Sequence, residues 1–211
     1  MDIKPCHLAG QKLNPPQSSI ELRPTPMFSC TYDEQSVRQR ISTFFDVSKG
    51  IDAEGVATAL GMPVLTSAFD DPRTADYSAI VAGAGGWTLF LSVTERFYPL
   101  HSGPPQFIPG PHPKRLGRPG DSWKQLVITF EIPAIENRSP QDCNIIYPYF
   151  DTAGMAGWVY DSRGGFASEG HKPPISMVGP NGRGFSVDLD DSEACRATLL
   201  FTEGHNPNPW D

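Results

Sequence analysis

The chain is short of charge, short of cysteine and free of long apolar runs, and each shortage narrows what it can be. Charged side chains make up 19% of the 211 residues, and Asp plus Glu (24) outnumber Lys plus Arg (17), for a formal charge of −7. Nucleic-acid binding draws on a basic footprint that releases counterions from phosphates, so this balance argues against a nucleic-acid partner. It argues equally against docking on anionic lipid. No stretch approaches the roughly 18 consecutive apolar residues of a membrane span, and no membrane partner is expected. The opening residues Met1, Asp2, Ile3, Lys4, Pro5 and Cys6 hold no apolar core of a signal peptide, which places synthesis in the cytoplasm and leaves the final location open.

The four cysteines, Cys6, Cys30, Cys143 and Cys195, are far apart and form no CxxC pair. Free buried thiols in a reducing compartment are the expectation; a Cys6–Cys30 bridge is the alternative if the chain leaves the cell without a signal peptide.

Strong catalytic signatures are missing as well. No lysine follows a glycine, so there is no phosphate-binding loop of the GxxxxGK[ST] type, and neither GxSxG nor HExxH occurs. No histidine has a histidine or carboxylate two residues on, which removes the usual seed of a two-histidine, one-carboxylate iron site. The glycines at 83, 85 and 86 have the outline of a dinucleotide-binding turn, but Thr88 stands where the third glycine is needed and a strand pattern follows instead of a helix. Two short helical stretches within residues 37–62 suggest a helix-turn-helix, yet the second carries Asp52 and Glu54 where a groove-reading helix needs basic side chains. No cofactor is expected.

What the chain has in quantity is punctuation: 22 Pro and 20 Gly separate short alternating runs. The clearest lies at 87–98, where Trp87, Leu89, Leu91, Val93 and Phe97 share one side of a period-two zigzag while Thr88, Ser92, Thr94 and Arg96 share the other. That pattern predicts a strand with one buried and one wet face. Further strands are expected at 18–23, 27–32, 77–82, 125–132, 144–150, 155–160, 175–178, 184–189 and 195–202, with hairpin turns at 83–86, 151–154 and 179–182. Prolines 24 and 26 point to edge positions for the first two. About ten strands exceed what one open sheet usually holds, so the expected fold is mainly β: an antiparallel β-sandwich, jelly-roll included, or a barrel.

Helical signal is confined to 34–61. Asp33 can cap a helix whose Val37, Ile41, Phe44 and Phe45 recur with core spacing, and Asp52 can cap a second that ends at Gly61. The domain plan is an extended arm at 1–17, a single β-rich domain at 18–203 with this two-helix insertion, and an extended tail at 204–211. The segment 99–122 spans 24 residues with seven prolines and carries His101, His112, Lys114, Arg115 and Arg118 on an otherwise acidic chain. Long irregular loops are often functional, and this one is either a contact arm or a stiffened crossover.

Candidate chemistry follows from these placements. His101 and His171 sit in Gly/Pro-rich loops and could do acid–base work with Asp161 or Glu169 if brought together. Asp188, Asp190, Asp191 and Glu193 offer oxygen ligands to a calcium-like ion but lack the spacing of a calcium loop; a solvated turn with a capping Asp explains them better. Tyr149, Trp158 and Tyr160 belong to an aromatic cluster that either fills the core or lines a binding surface, and Trp210 is a possible tail anchor.

Three functional readings result. The first is a non-enzymatic binding or assembly protein: a particle-type subunit, or an acidic inhibitor or immunity-type protein meeting a basic partner. The second is a small-molecule enzyme (cyclase, isomerase or hydrolase) with an aromatic-lined pocket. The third is a sugar- or small-ligand-binding module.

Overall fold

The computed structural model describes residues 5–9, 25–66, 74–97, 107–108, 114–115, 122–133, 147–161, 175–188 and 195–204. Among the described residues there are eleven strands: β1 (Cys6–Leu8), β2 (Met27–Cys30), β3 (Thr74–Gly83), β4 (Thr88–Phe97), β5 (Phe107–Ile108), β6 (Lys114–Arg115), β7 (Ser122–Glu131), β8 (Val159–Tyr160), β9 (Ile175–Val178), β10 (Gly184–Asp188) and β11 (Arg196–Gly204). Nine of them form one sheet in the order β1-β2-β3-β4-β7-β11-β10-β9-β8. β5 and β6 pair with each other alone, so the 99–122 segment holds a short hairpin that the sequence pattern does not announce.

Every neighbouring pair in the large sheet is antiparallel except β2 and β3. Parallel neighbours need a crossover connection, and here it is helical. The crossover contains α1 (Glu34–Ser42), a 3-10 turn (Thr43–Phe45) and α2 (Ala53–Leu60). Both expected caps are in place: Asp33 accepts from the Ser36 N–H at 2.9 Å and Asp52 from the Gly55 N–H at 2.8 Å. Gly61, at φ 64°, ends α2 in the left-handed conformation that a side chain would oppose.

The helices cover one face of the sheet. Val37, Ile41, Phe44, Phe45, Val56 and Leu60 meet Val81, Leu89, Leu91, Val93, Leu126, Ile128, Phe130, Leu199 and Phe201 in a single buried cluster. Phe45 is its hub, with ring contacts to Tyr149, Trp158, Phe185 and Phe201. Truncating such a ring to alanine costs about 3–5 kcal/mol.

Two expectations are corrected. The hairpin expected from 144–150 and 155–160 is a helix, α3 (Tyr147–Met155), followed by the two-residue β8. Tyr149, Phe150 and Ala153 bury at i, i+1 and i+4, a helical spacing that the strand preference of the rings obscures. The helix closes when Trp158 N–H bonds to Ala153 O and Gly157 turns left-handed at φ 84°. Second, the cysteines are not free thiols. Cys6 and Cys30 form a disulfide, and Cys195 is disulfide-bonded too. Cys6 and Cys30 are register partners flanked by the Thr31 N–H to Pro5 O bond, so they occupy a non-hydrogen-bonded pair, where side chains approach most closely.

The fold is therefore mainly β, with small helices on one face of a mixed nine-stranded sheet. Among the described residues the layer facing the sheet is helical, and the other sheet is the two-stranded β5–β6. β2 lies one strand in from the edge, inside β1, which comes from the segment expected as an arm. The strand expected at 18–23 lies outside the described residues.

Candidate functional site

Many of the sequence-based candidates, His101, His112, Arg118, Glu169, His171, Asp190, Asp191, Glu193 and Trp210, lie outside the described residues. So do the side chains of Lys114, Arg115 and Asp188, whose backbones belong to β6 and β10. Among the described residues no group of three or more His, Cys, Asp or Glu could hold a metal. Trp158 and Tyr149 belong to the core. The Trp158 indole N–H donates to Phe45 O at 2.9 Å, and burial pushes the Tyr149 phenol far above its ordinary range. Tyr160 is exposed and stacks on Phe150 at 6.2 Å. Asp161 continues β8, its N–H bonding to Ser176 O at 3.0 Å.

Register assembles a charged cluster that sequence reasoning missed. Glu95 on β4 stands opposite Lys124 on β7, and Lys124 opposite Glu203 on β11. The row lies on the helix-covered face, one step beyond Val93, Leu126 and Phe201. Each charged residue takes an in-phase position next to the buried apolar residues of its strand, and that is the signal that marks it. From above, the Lys124 ammonium donates to Asp52 at 2.7 Å, while Glu95, only 7% exposed, accepts from the Ala53 N–H at 2.8 Å. Two carboxylates thus meet the positive end of α2.

Burial works to raise the Asp52 carboxyl, but hydrogen bonds from Lys124 and the Gly55 N–H outweigh it and hold Asp52 below the ordinary carboxylate value. Burial works to lower Lys124, but Asp52, Glu203 and Glu95 together raise it. Tyr77 is raised by burial and by Glu95 and Asp52.

Arg183, 4% exposed, extends this network. It pairs with Glu203 and donates to the carbonyls of Phe44, Asp46, Val47 and Lys49. These contacts tie the loop between α1 and α2 down to the sheet. Beside them lies an open groove of ≈ 510 Å³ lined by Thr43, Ser48, Lys49, Asp52, Glu54 and Thr58. Every buried charge in the cluster is bonded to a helix end or loop carbonyl, so its geometry is that of an anchor between layers.

The opposite face of the sheet carries a different surface. Across its strands run Met27, Ile80, Phe90, Thr129 and Thr198 in register, then Ser78, Ser92, Val127, Leu200 and Ser186. No described helix covers these rows, and Phe90 and Met27 are 40% and 45% exposed. The face closes only toward Trp123, which is buried with the Arg96 guanidinium 5.8 Å over its ring. Its described charges are of both signs: Asp76, Glu131 and Asp161 with Arg96 and Arg196, the last bonded to Glu131 at 3.2 Å.

No protein-family model matches the chain, and neither a curated protein nor a solved structure matches it.

Proposed function

We propose that the chain is a non-enzymatic binding or assembly protein whose contact surface is the open face of the nine-stranded sheet. The observation that carries this reading is a half-exposed Phe90 on the central strand β4, within a wide, Ser/Thr-rich face with an apolar ridge. Large exposed apolar patches rimmed by polar residues mark contact sites. The four central strands, nine or ten residues long, present roughly 19 by 33 Å, about 600 Å². β10 and β9 extend this toward the roughly 800 Å² per partner of a specific interface. The occupant favoured is a second copy. The face carries Arg96 and Arg196 beside Asp76, Glu131 and Asp161, so two copies can set opposite charges against each other across it, although the whole chain carries −7. Such a contact would complete the sheet-on-sheet layering expected from the strand count. The disulfides favour an oxidising compartment as the working location.

Sedimentation velocity over a concentration series tests the reading. The expected result is reversible self-association that Phe90→Asp abolishes and Leu8→Asp, at the sheet edge, leaves intact. A monomer at every concentration, or equal association of both variants, would refute it.

A further inference from the structure

The open face is not flat throughout. Where β8, β9, β10 and β11 adjoin, it sinks into a depression of ≈ 190 Å³ lined by Asp161, Ser176, Val178, Ser186, Leu200 and Thr202. The dent exists because Gly184 supplies no side chain between Val178 and Thr202, its register partners on either side. A Cβ placed there would come within 2.5 Å of the Thr202 hydroxyl oxygen. The volume is below the roughly 300–1,000 Å³ of small-molecule pockets and suits a single side chain.

Its chemistry is selective. The lining has one carboxylate, three hydroxyls and no cation, so anions are disfavoured. Leu200 and Val178 give an apolar wall of the kind that packs against the methylene stem of a long basic side chain. Asp161 already holds an interaction of its own, and a carboxylate has acceptor sites for a second partner. A planar guanidinium matches a carboxylate flanked by hydroxyl acceptors better than a compact ammonium does.

We propose that this depression is an anchor pocket for an arginine side chain of the protein seated on the open face. The proposal rests on the contact reading above and adds the partner's chemistry. Arg96 and Arg196 lie on the same face, so a second copy seated there carries arginines on its contact surface. Arginine anchors in pockets are a recurrent feature of the residues that dominate interface energetics.

The test titrates N-acetyl-arginine amide into isotope-labelled protein and follows backbone amide shifts. Shifts are expected at Ser176, Gly184, Ser186 and Thr202, at least tenfold weaker affinity in Asp161→Asn, and loss of binding in Gly184→Ala. That alanine fills the dent at the cost of one hydroxyl rotamer, so the variant stays folded. N-acetyl-lysine amide should bind more weakly, and methyl pyranosides should not compete. Absence of shifts, equal binding in Asp161→Asn, retained binding in Gly184→Ala, or competition by a pyranoside would each overturn the proposal. Because the probe is a free amino-acid amide, arginine binding by a monomeric chain leaves the pocket standing while refuting self-association. Association that depends on Phe90 without arginine binding does the reverse.

Discussion

Removing the Cys6–Cys30 bridge is the most informative perturbation of the fold, because the disulfide fastens the outermost strand of the sheet. β1 has only three residues, and besides the ladder its described backbone bonds are Ala9 N–H to Met27 O, Thr31 N–H to Pro5 O and Cys6 N–H to Gly61 O. The cysteines are 24 residues apart in sequence. Releasing a loop of that length in the unfolded chain returns about 12 cal/mol/K of entropy, or about 3.5 kcal/mol at 25 °C. For a chain of this size that corresponds to a fall in melting temperature of roughly 7–14 °C. The variant should be Cys6→Ala with Cys30→Ala, since a serine hydroxyl at position 6 could hydrogen-bond the Leu60 carbonyl or the Tyr32 hydroxyl, each 3.5 Å from the Cys6 sulfur, and mask part of the loss. Urea unfolding without reductant, with the Cys195 bridge intact in both proteins, gives the comparison. The midpoint should fall and the denaturant slope should rise, because an uncrosslinked unfolded chain exposes more surface. A loss below about 1 kcal/mol with an unchanged slope would refute the reasoning, since it would mean that the bridge does not restrict the unfolded chain.

Other consequences follow from the charged layer. Asp52→Asn keeps a capping oxygen for the Gly55 N–H but removes the charge opposite Lys124 and at the positive end of α2, so unfolding free energy should fall by about 1–2 kcal/mol at neutral pH. Since folding lowers the Asp52 carboxyl, its contribution is complete above the ordinary carboxylate value near 3.9 and disappears as pH falls through the lower folded value. The stability difference between wild type and Asp52→Asn, measured by urea titration, should therefore shrink on acidification; a constant difference would exclude the linkage. Lys124 is raised, so its contribution is complete below its ordinary value and lost as pH climbs through the folded one. Arg183→Met should destabilise by about 3 kcal/mol or more, because it leaves loop carbonyls and Glu203 without their donor. Lysine at that position should not rescue, as one ammonium cannot reach the carbonyls of Phe44, Asp46, Val47 and Lys49 together. Rescue to within 1 kcal/mol of wild type would show that charge alone suffices.

Legibility differed by element. β4 is readable because its side chains alternate without interruption and its neighbours β3 and β7 impose the same period. The caps at Asp33 and Asp52 are readable because a cap is a local device: one side chain closing on an N–H three residues on. α3 was misread because rings favour strands in general, whereas Tyr149, Phe150 and Ala153 here satisfy the surface beneath them only as a helix. The disulfide was the less favoured alternative, since cysteine pairing follows spatial register and not spacing along the chain. Glu95, Lys124 and Glu203 were each visible as an in-phase charge, but nothing in one strand says which charge another strand will bring opposite it.

The amino-acid sequence by itself determined the β-rich class, most of the central strands, the two caps and the turns at 83–86 and 179–182. These depend on contacts within a few residues, and local sterics and hydrogen bonding settle them. The tertiary structure alone decided that the strands form one mixed sheet and that helices cover a single face. It also joined Cys6 to Cys30 and left the dent at Gly184 open beside Asp161. Those outcomes depend on which strands pair and in which register, and pairing energy is shared among residues far apart in the chain.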